Sequence, residues 1–502
     1  MKTTLVRPAT FTTTRSLGED SAAPIGIAYL AACLQQSGHY VNVVDALGEA
    51  LDKFTPVAHI PNGLSHGLLD EEIIQHIPVD TELIGVSAMF SQQWSLDREL
   101  IRKLRSAFPL VPIVIGGEHA TALPEYCLTD SPEIDHIVLG EGEVTLVELV
   151  SSLESGSDLG QVSGLYTRRG HEIVQTDSRK RIRKIDEIPQ PAWDLFPIEN
   201  YLDAEVTFGV NYGRAMPMLA SRGCPFQCTF CSNPVMYGPL WRARSPQEVF
   251  QELVSYKEKY NATSFDFYDL TAIVKRSWIK EFCNLVIESG IKFTWQLPTG
   301  TRSEALDWEI TDLLNKAGCK YLVYAPESGS VEVLKMIKKK VSLPKLKTSL
   351  RGAHKNGLGT KVNIIFGFPG ETLRNVATTY KFIIETAVIG VWDMSCFPFS
   401  PYPGSELFEN LRSSGSLKVD EDYFSRLAQY TDPSRAISYS RHIPTFLLPI
   451  ICTFGIALFY FVSFLVRPVR IVRTINNLLL KTPKNKLEAA IFRLLRKRSL
   501  LQ

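Results

Sequence analysis

Twice along this chain, short apolar runs take turns with stretches whose apolar residues recur at helical spacing. That alternation constrains the fold more than any other feature. In the first half, residues 41–44, 83–87, 112–115 and 136–139 are apolar and rich in β-branched side chains, the pattern of buried strands. Residues 24–38 open on Pro24, carry Ile27, Leu30, Ala31 and Leu34 at helical spacing and stop at Gly38, which predicts a helix. Residues 96–107 and 144–153 read the same way. From about 215 to 400 the beat resumes. Strands are expected at 218–221, 264–268, 292–297, 321–325, 361–366 and 393–397, and helices at 245–259, 275–289, 308–317, 345–356 and 373–386. The chain is therefore α/β. A doubly wound, Rossmann-like domain is expected over 1–155, a linker over 156–205 and a partial (β/α)6 barrel over 206–410. A helical extension, apolar and then basic, is expected over 411–502. The linker carries β-like pieces at 162–167 and 173–176, and Pro189 and Pro191 force extended backbone. In both parallel sheets the ligand sites lie beyond the C-terminal strand ends.

At those ends the first sheet offers Ser87, the turn Gly116-Gly117-Glu118-His119 and the turn Gly140-Glu141-Gly142-Glu143. Glycines there serve either as plain tight turns or as places where backbone closely approaches a bulky ligand. Just after the first strand of the second sheet runs Cys224-Pro225-Phe226-Gln227-Cys228-Thr229-Phe230-Cys231, with three thiols at spacings of four and three. The chain holds nine cysteines in 502 residues, too few for a disulfide scaffold, and the other six are scattered. Three thiolates on one loop can converge on a single metal centre. Structural zinc takes four ligands, and the nearest candidates, His171, Cys283 and His354, are distant in sequence. The loop is thus either a zinc site completed from afar or an incompletely ligated iron–sulfur cluster with one iron open.

The Cys-x3-Cys-x2-Cys loop resembles the signature of the radical S-adenosylmethionine (SAM) enzymes. Residues 1–155 resemble the cobalamin-binding domain that precedes the catalytic domain in one subclass, through Pro24-Ile25-Gly26-Ile27-Ala28-Tyr29-Leu30-Ala31-Ala32 and the two glycine turns. The resemblance implies that Cys224, Cys228 and Cys231 hold three irons of a [4Fe–4S] cluster, with SAM on the fourth. It implies SAM contacts at Phe230, Asp269, Glu327, Ser328, Gly367 and Glu371. Asp269 stands where the family usually has Gly-Gly-Glu, the sequence here being Phe267-Tyr268-Asp269-Leu270. Glu371 also reads as an acid at a helix N-terminus, facing the dipole. Cobalamin contacts are implied at Ser87, Gly116, Gly117, His119, Gly140, Glu141 and Gly142, although His119 reads better as a helix-capping or surface residue. Asp45-Ala46-Leu47-Gly48 lacks the histidine of the mutase-type cobalamin motif, so no protein imidazole is expected below cobalt. No other catalytic side chain is identified.

Such cofactors imply reductive cleavage of SAM, with methyl transfer to an unactivated carbon or phosphorus centre of a small molecule, a lipid-like one if the chain attaches to a membrane. Radical cyclisation or rearrangement without methyl transfer is a second reading, and a non-catalytic cobalamin or redox sensor a third. An electron donor such as flavodoxin or ferredoxin is implied. Lys plus Arg number 54 against 53 Asp plus Glu, which argues against a nucleic-acid partner. The charge is nonetheless segregated. Residues 467–502 hold ten basic side chains and one acid, leaving that tail at +9 and the rest of the chain at −8. Before the tail lies 443–466, free of charge and long enough to cross a bilayer, though interrupted by Pro444, Pro449 and Gly455. A crossing would separate the cluster from the cytoplasm. Residues 443–502 are instead expected either to lie on the inner face of a membrane, as a monotopic or re-entrant segment, or to form a helix closing the catalytic domain. The start of the chain, Met1-Lys2-Thr3-Thr4, lacks a signal-peptide core.

Overall fold

The structure, a computed structural model, describes residues 1–14, 22–58, 60–170, 172–302, 305–430, 432, 435–480 and 482–492. The N-terminal half builds a seven-stranded sheet from β1 (Lys2–Arg7), β2 (Tyr40–Asp45), β3 (Leu83–Ser87), β4 (Ile113–Gly116), β5 (His136–Val138), β6 (Leu165–Arg169) and β7 (Glu172–Gln175). Their order is β7-β6-β5-β4-β3-β1-β2, parallel from β5 to β2. Helices α1 (Ile25–Gln36) and α2 (Trp94–Ala107) make crossovers between parallel strands, α3 (Gly142–Ser155) leads from β5 to the antiparallel β6, and both sheet faces are buried. The parallel order 2-1-3-4-5 reverses direction at β1/β3, and the crevice at such a reversal is where doubly wound sheets bind ligands.

Part of the expected linker is not a linker. β6 and β7 add to the first sheet in antiparallel register, because the apolar Leu165, Tyr166 and Val174 continue its faces. The rest packs between the two halves. Tyr201 donates to Asp45 (2.8 Å) and accepts from Arg7 (2.7 Å), and Trp193 donates to the Tyr256 hydroxyl (3.1 Å).

The second sheet comprises β8 (Ala215–Met218), β9 (Ser264–Phe267), β10 (Thr294–Thr301), β11 (Cys319–Glu327), β12 (Gly359–Phe366) and β13 (Asp393–Pro398), all parallel and in sequential order. Between them run α4 (Pro246–Tyr260), α5 (Arg276–Ser289), α6 (Trp308–Lys316), α7 (Leu343–Lys355) and α8 (Leu373–Ile389). Local chemistry sets these boundaries. Pro246 occupies the first turn of α4 behind the Ser245 cap, and Thr372 with Asn375 forms a capping box at the start of α8. β8 ends three residues earlier than the apolar run predicts. Ser221 and Arg222 leave the sheet to pair with Ala243 and Arg242 in a two-residue ribbon, and that ribbon launches the cysteine loop.

The C-terminal extension is helical, with α9 (Glu421–Ala428), α10 (Leu447–Val466) and α11 (Val469–Leu479). α10 is a continuous helix. Pro449 falls in its first turn, where a missing N–H costs nothing, and Gly455 allows close approach to Cys396. Its inner face, Leu448, Ile451, Cys452, Gly455, Phe459 and Ser463, is buried against α8 and β13. Tyr380 on α8 donates to the Ile451 carbonyl (2.9 Å). Beyond α11, Lys486 donates its ammonium to the carbonyls of Phe208 (2.7 Å) and Gly209 (2.6 Å) and its amide to Asp393 (2.9 Å). That contact ties the start of β13 to the segment entering β8, at the end of the sheet away from the cysteine loop.

Candidate active site

A cleft enclosing about 890 Å³ of empty space, open mouth included, lies at the C-terminal ends of β1, β3, β4 and β5. Ser87, Gly116, Gly117, Gly140, Glu141 and Gly142 all line it. The glycines are needed there for backbone reasons. Gly117 has φ +117°, and a Cβ on it would stand 2.7 Å from the Ala88 carbonyl oxygen. Gly26 also lines the cleft, and a Cβ on it meets no atom within 4 Å, so a side chain there would take cleft volume. Of the expected set His119 alone is elsewhere. It is neither in the cleft nor a surface or capping residue. It is fully buried, with Nδ1 2.9 Å from the Ser91 hydroxyl and its ring 4.7 Å from that of Trp94 and 5.7 Å from that of Phe424. Burial lowers its pKa to about 3, so it is a neutral packing residue. Among the described residues no histidine lines the cleft.

The opposite wall belongs to the second domain, through Leu219, Arg222, Met236 and Tyr237. Arg222 is buried between Glu143 (2.6 Å) and Glu141 (3.2 Å), its guanidinium 5.2 Å from the Tyr29 ring centre. Glu141 also accepts from Arg242 (2.8 Å) and the Ile182 amide (3.2 Å). Two arginines of the β-ribbon thus clamp one glycine turn of the first sheet to the root of the cysteine loop. Cys224 follows Arg222 by two residues, which brings the two strand-end sites face to face.

Cys224, Cys228 and Cys231 are half-buried on that loop. The Thr229 amide donates to the Ile337 carbonyl (3.1 Å), and the Leu407 amide donates to the Thr229 carbonyl (2.8 Å), pinning the loop over the sheet. Burial pushes the Cys231 thiol up to about 12 and raises Cys228, with Lys339 pulling Cys228 back and the neighbouring cysteine raising each. Metal loading therefore has to displace protons. Among the described residues no three His, Cys, Asp or Glu side chains stand close enough to share a single ion. A four-iron cube would take each of the three sulfurs on a different iron. The donor set of three thiols fits a cluster with an open corner.

Around the loop stand the other expected residues. Asp269 is buried, and both its oxygens brace the loop's root, accepting from the Ala220 amide (3.0 Å) and the Ser221 hydroxyl (2.5 Å). Burial raises its pKa to about 6. Phe230 packs on Phe368, ring centres 5.6 Å apart, with the Lys339 ammonium 5.7 Å from its centre. Lys339 pairs with Glu327 (3.0 Å), and both are largely buried. Glu327 has φ +69° at the end of β11, a strained conformation for a non-glycine residue and a mark of functional sites. Ser328 holds the following turn, its hydroxyl 3.0 Å from that of Thr379 and accepting from the Ser330 amide (3.1 Å). Arg302 lies over the Phe226 ring at 3.6 Å. Lys339 and Arg302 were not identifiable in the sequence, since Lys338-Lys339-Lys340 has the pattern of a solvated charge run.

Gly367 (φ +89°) ends β12 and donates to Glu371 (2.6 Å), while the Leu448 side chain of α10 reaches to within 3.0 Å of where its Cβ would be. The second Glu371 oxygen is buried without a partner, and burial raises the pKa to about 7 from an ordinary 4.5. The native state therefore keeps a proton that the unfolded chain releases. Stability falls as pH rises from about 4.5 to about 7 and is flat above, by on the order of 3 kcal/mol. In Glu371→Gln that fall is expected to vanish, as read from denaturant unfolding at pH 4 to 8. An unchanged slope would assign it to other groups.

A glycine-lined cleft at the switch point of the first sheet, walled by residues flanking a three-cysteine loop, is the arrangement of an enzyme holding a bulky cofactor against an iron–sulfur cluster. The sequence comparisons agree. The radical SAM superfamily model matches residues 218–383 and the B12 binding domain model residues 18–150. An uncharacterized methyltransferase, PH0819, of Pyrococcus horikoshii is 30% identical over 82% of this chain and 83% of its own length. The anaerobic magnesium-protoporphyrin IX monomethyl ester cyclase of Rubrivivax gelatinosus is 28% identical over 77% of this chain and 66% of its own. The solved structure of the radical SAM methyltransferase TsrM from Kitasatospora setae, with cobalamin and [4Fe-4S] cluster bound, shares the fold. Its TM-score is 0.65 at 17% identity, covering 84% of this chain and 79% of that one. The chain belongs to the cobalamin-dependent radical SAM enzymes, whose cofactors are a [4Fe–4S] cluster, SAM and cobalamin.

Proposed function

We propose that the protein methylates an unactivated carbon or phosphorus centre of a small molecule. One observation carries this reading: Leu219 and Arg222, which lead into the cysteine loop, and Met236 and Tyr237, which follow it, wall the cobalamin cleft, so the two cofactors would face one reaction space. When bound, the cofactors supply reductive SAM cleavage and methyl delivery, while the protein supplies binding, orientation and exclusion of water. In this reading Cys224, Cys228 and Cys231 hold three irons and leave one corner for SAM. Asp269 fixes the loop's root, and its acid group stands ready for the SAM amine. Glu327, Ser328 and Phe230 shape the methionine and ribose side, and Gly367 with Glu371 the adenine side. Ser87, Gly116, Gly117, Gly140, Glu141 and Gly142 cradle cobalamin by exposing backbone. The cleft's apolar walls, Leu5, Ile27, Val86 and Val138 among them, keep water from the reacting atoms. Electrons come from a donor of the flavodoxin or ferredoxin type, in a reducing, cytoplasmic setting.

The expected products under anaerobic reduction with SAM, cobalamin and the true substrate are S-adenosylhomocysteine, 5′-deoxyadenosine and a substrate heavier by one CH₂. The cyclase relative favours a second reading, in which 5′-deoxyadenosine forms, S-adenosylhomocysteine does not, and the substrate gains no carbon. Absence of any SAM cleavage by the reduced holoenzyme would overturn both.

A further inference from the structure

α10 and α11 bury one face each and leave the other bare. Phe446 (73% exposed), Ile450, Phe461 and Leu465 (71%) run down the outside of α10, and Val469 (68%), Val472, Ile475 and Leu479 (76%) continue along α11. Single exposed apolar residues are ordinary, but two contiguous helical stripes of them mark an interaction surface. The two helices meet beside a depression with about 1,060 Å³ of empty space, open mouth included, where Arg467, Arg470, Arg473, Lys484 and His354 gather. Arg467 and Arg470 donate to main-chain carbonyls of residues 387–392, so their charge is fixed in place and not neutralised. The acids nearby are buried, and among the described residues Glu488 is hydrogen-bonded through one oxygen only. Glu488 accepts from Asn477 and the Lys484 amide, and Asp393 from Tyr321, Tyr460 and the amides of Lys486 and Leu487.

We infer that this flank is a monotopic membrane-docking surface. The outward faces of α10 and α11 enter the acyl–headgroup boundary of an anionic bilayer, and the basic depression between them takes phospholipid headgroup phosphates. Apolar stripes flanked by cations are complementary to such an interface, which is apolar inside and negative at its rim. A second copy of the chain fits worse, because it would bring two like-charged depressions together. A crossing fits worse, because α10 packs its inner face against α8 and β13 and Arg467 anchors its end to the last carbonyls of α8.

The test is gradient flotation of the full-length, cluster-loaded protein, kept anaerobic, with vesicles of phosphatidylcholine alone or mixed with phosphatidylglycerol. The protein is expected to float with the mixed vesicles only, and less so at high salt. Arg473→Gln with Lys484→Gln is expected to weaken partitioning roughly fivefold for each cation removed. Phe461→Ser with Leu465→Ser is expected to abolish it. Both pairs are solvent-exposed, so SAM cleavage and cluster content should match the parent and report intact folding. No flotation, or flotation indifferent to phosphatidylglycerol and to both variants, overturns the inference. So does a doubled mass in solution that the serine variant halves without vesicle binding, which would give the face to a second copy.

Discussion

Replacing Cys228 with alanine is expected to lower SAM cleavage by at least about three orders of magnitude, while cobalamin binding stays within about twofold. In the proposed ligand set each of the three thiols takes one iron, so the loss of one leaves two. With two ligands a four-iron cube is held at only two corners, and the electron that breaks SAM loses its source. The cobalamin cleft keeps its walls because Leu219 and Arg222 precede the loop and Met236 and Tyr237 follow it. Iron and sulfide content, the optical spectrum and 5′-deoxyadenosine yield under reductant read the first half, and cobalamin titration reads the second. A variant that retained full iron and turnover would remove Cys228 from the ligand set and with it the radical assignment of this loop.

Arg222→Met carries the second large effect. The guanidinium is buried between Glu141 and Glu143, and Glu143 has Arg222 at 2.6 Å. Methionine keeps the apolar stem but leaves a buried carboxylate without its cation, a change that costs about 3–5 kcal/mol. Because Glu141, Gly142 and Glu143 form one wall of the cleft, cobalamin affinity is expected to fall with stability. Combining Arg222→Met with Glu143→Gln removes the stranded charge and should recover part of both, since the two sites are coupled. Denaturant unfolding and cobalamin titration of the three variants form the cycle. Equal stability of parent and Arg222→Met would mean that the clamp between the domains contributes nothing net.

Much of this site was legible in the sequence because its chemistry is local. Three cysteines within eight residues, and glycines at strand ends, are consequences of loop geometry that hold whatever packs around them. His119 misled for the same reason. Its place on a glycine turn pointed to the cleft, whereas its ring turns back into a pocket made by Trp94 and Phe424, residues 25 before and 305 after it. Lys339, hidden in a lysine run, becomes a buried partner of Glu327 only because β11 delivers that carboxylate in a left-handed conformation. The apolar stretch 443–466 has the length of a membrane span, yet one face is an internal helix of the barrel flank.

By itself the sequence determined the two β/α runs, the cysteine loop and the segregation of charge into the tail, because periodicity, turn chemistry and composition are properties of neighbouring residues. Only the tertiary structure decided which strand ends face each other, that Arg222 and Arg242 join them, and that the tail's first arginines anchor α8 and α10. Those outcomes depend on contacts between residues tens to hundreds of positions apart, whose partners no local pattern names.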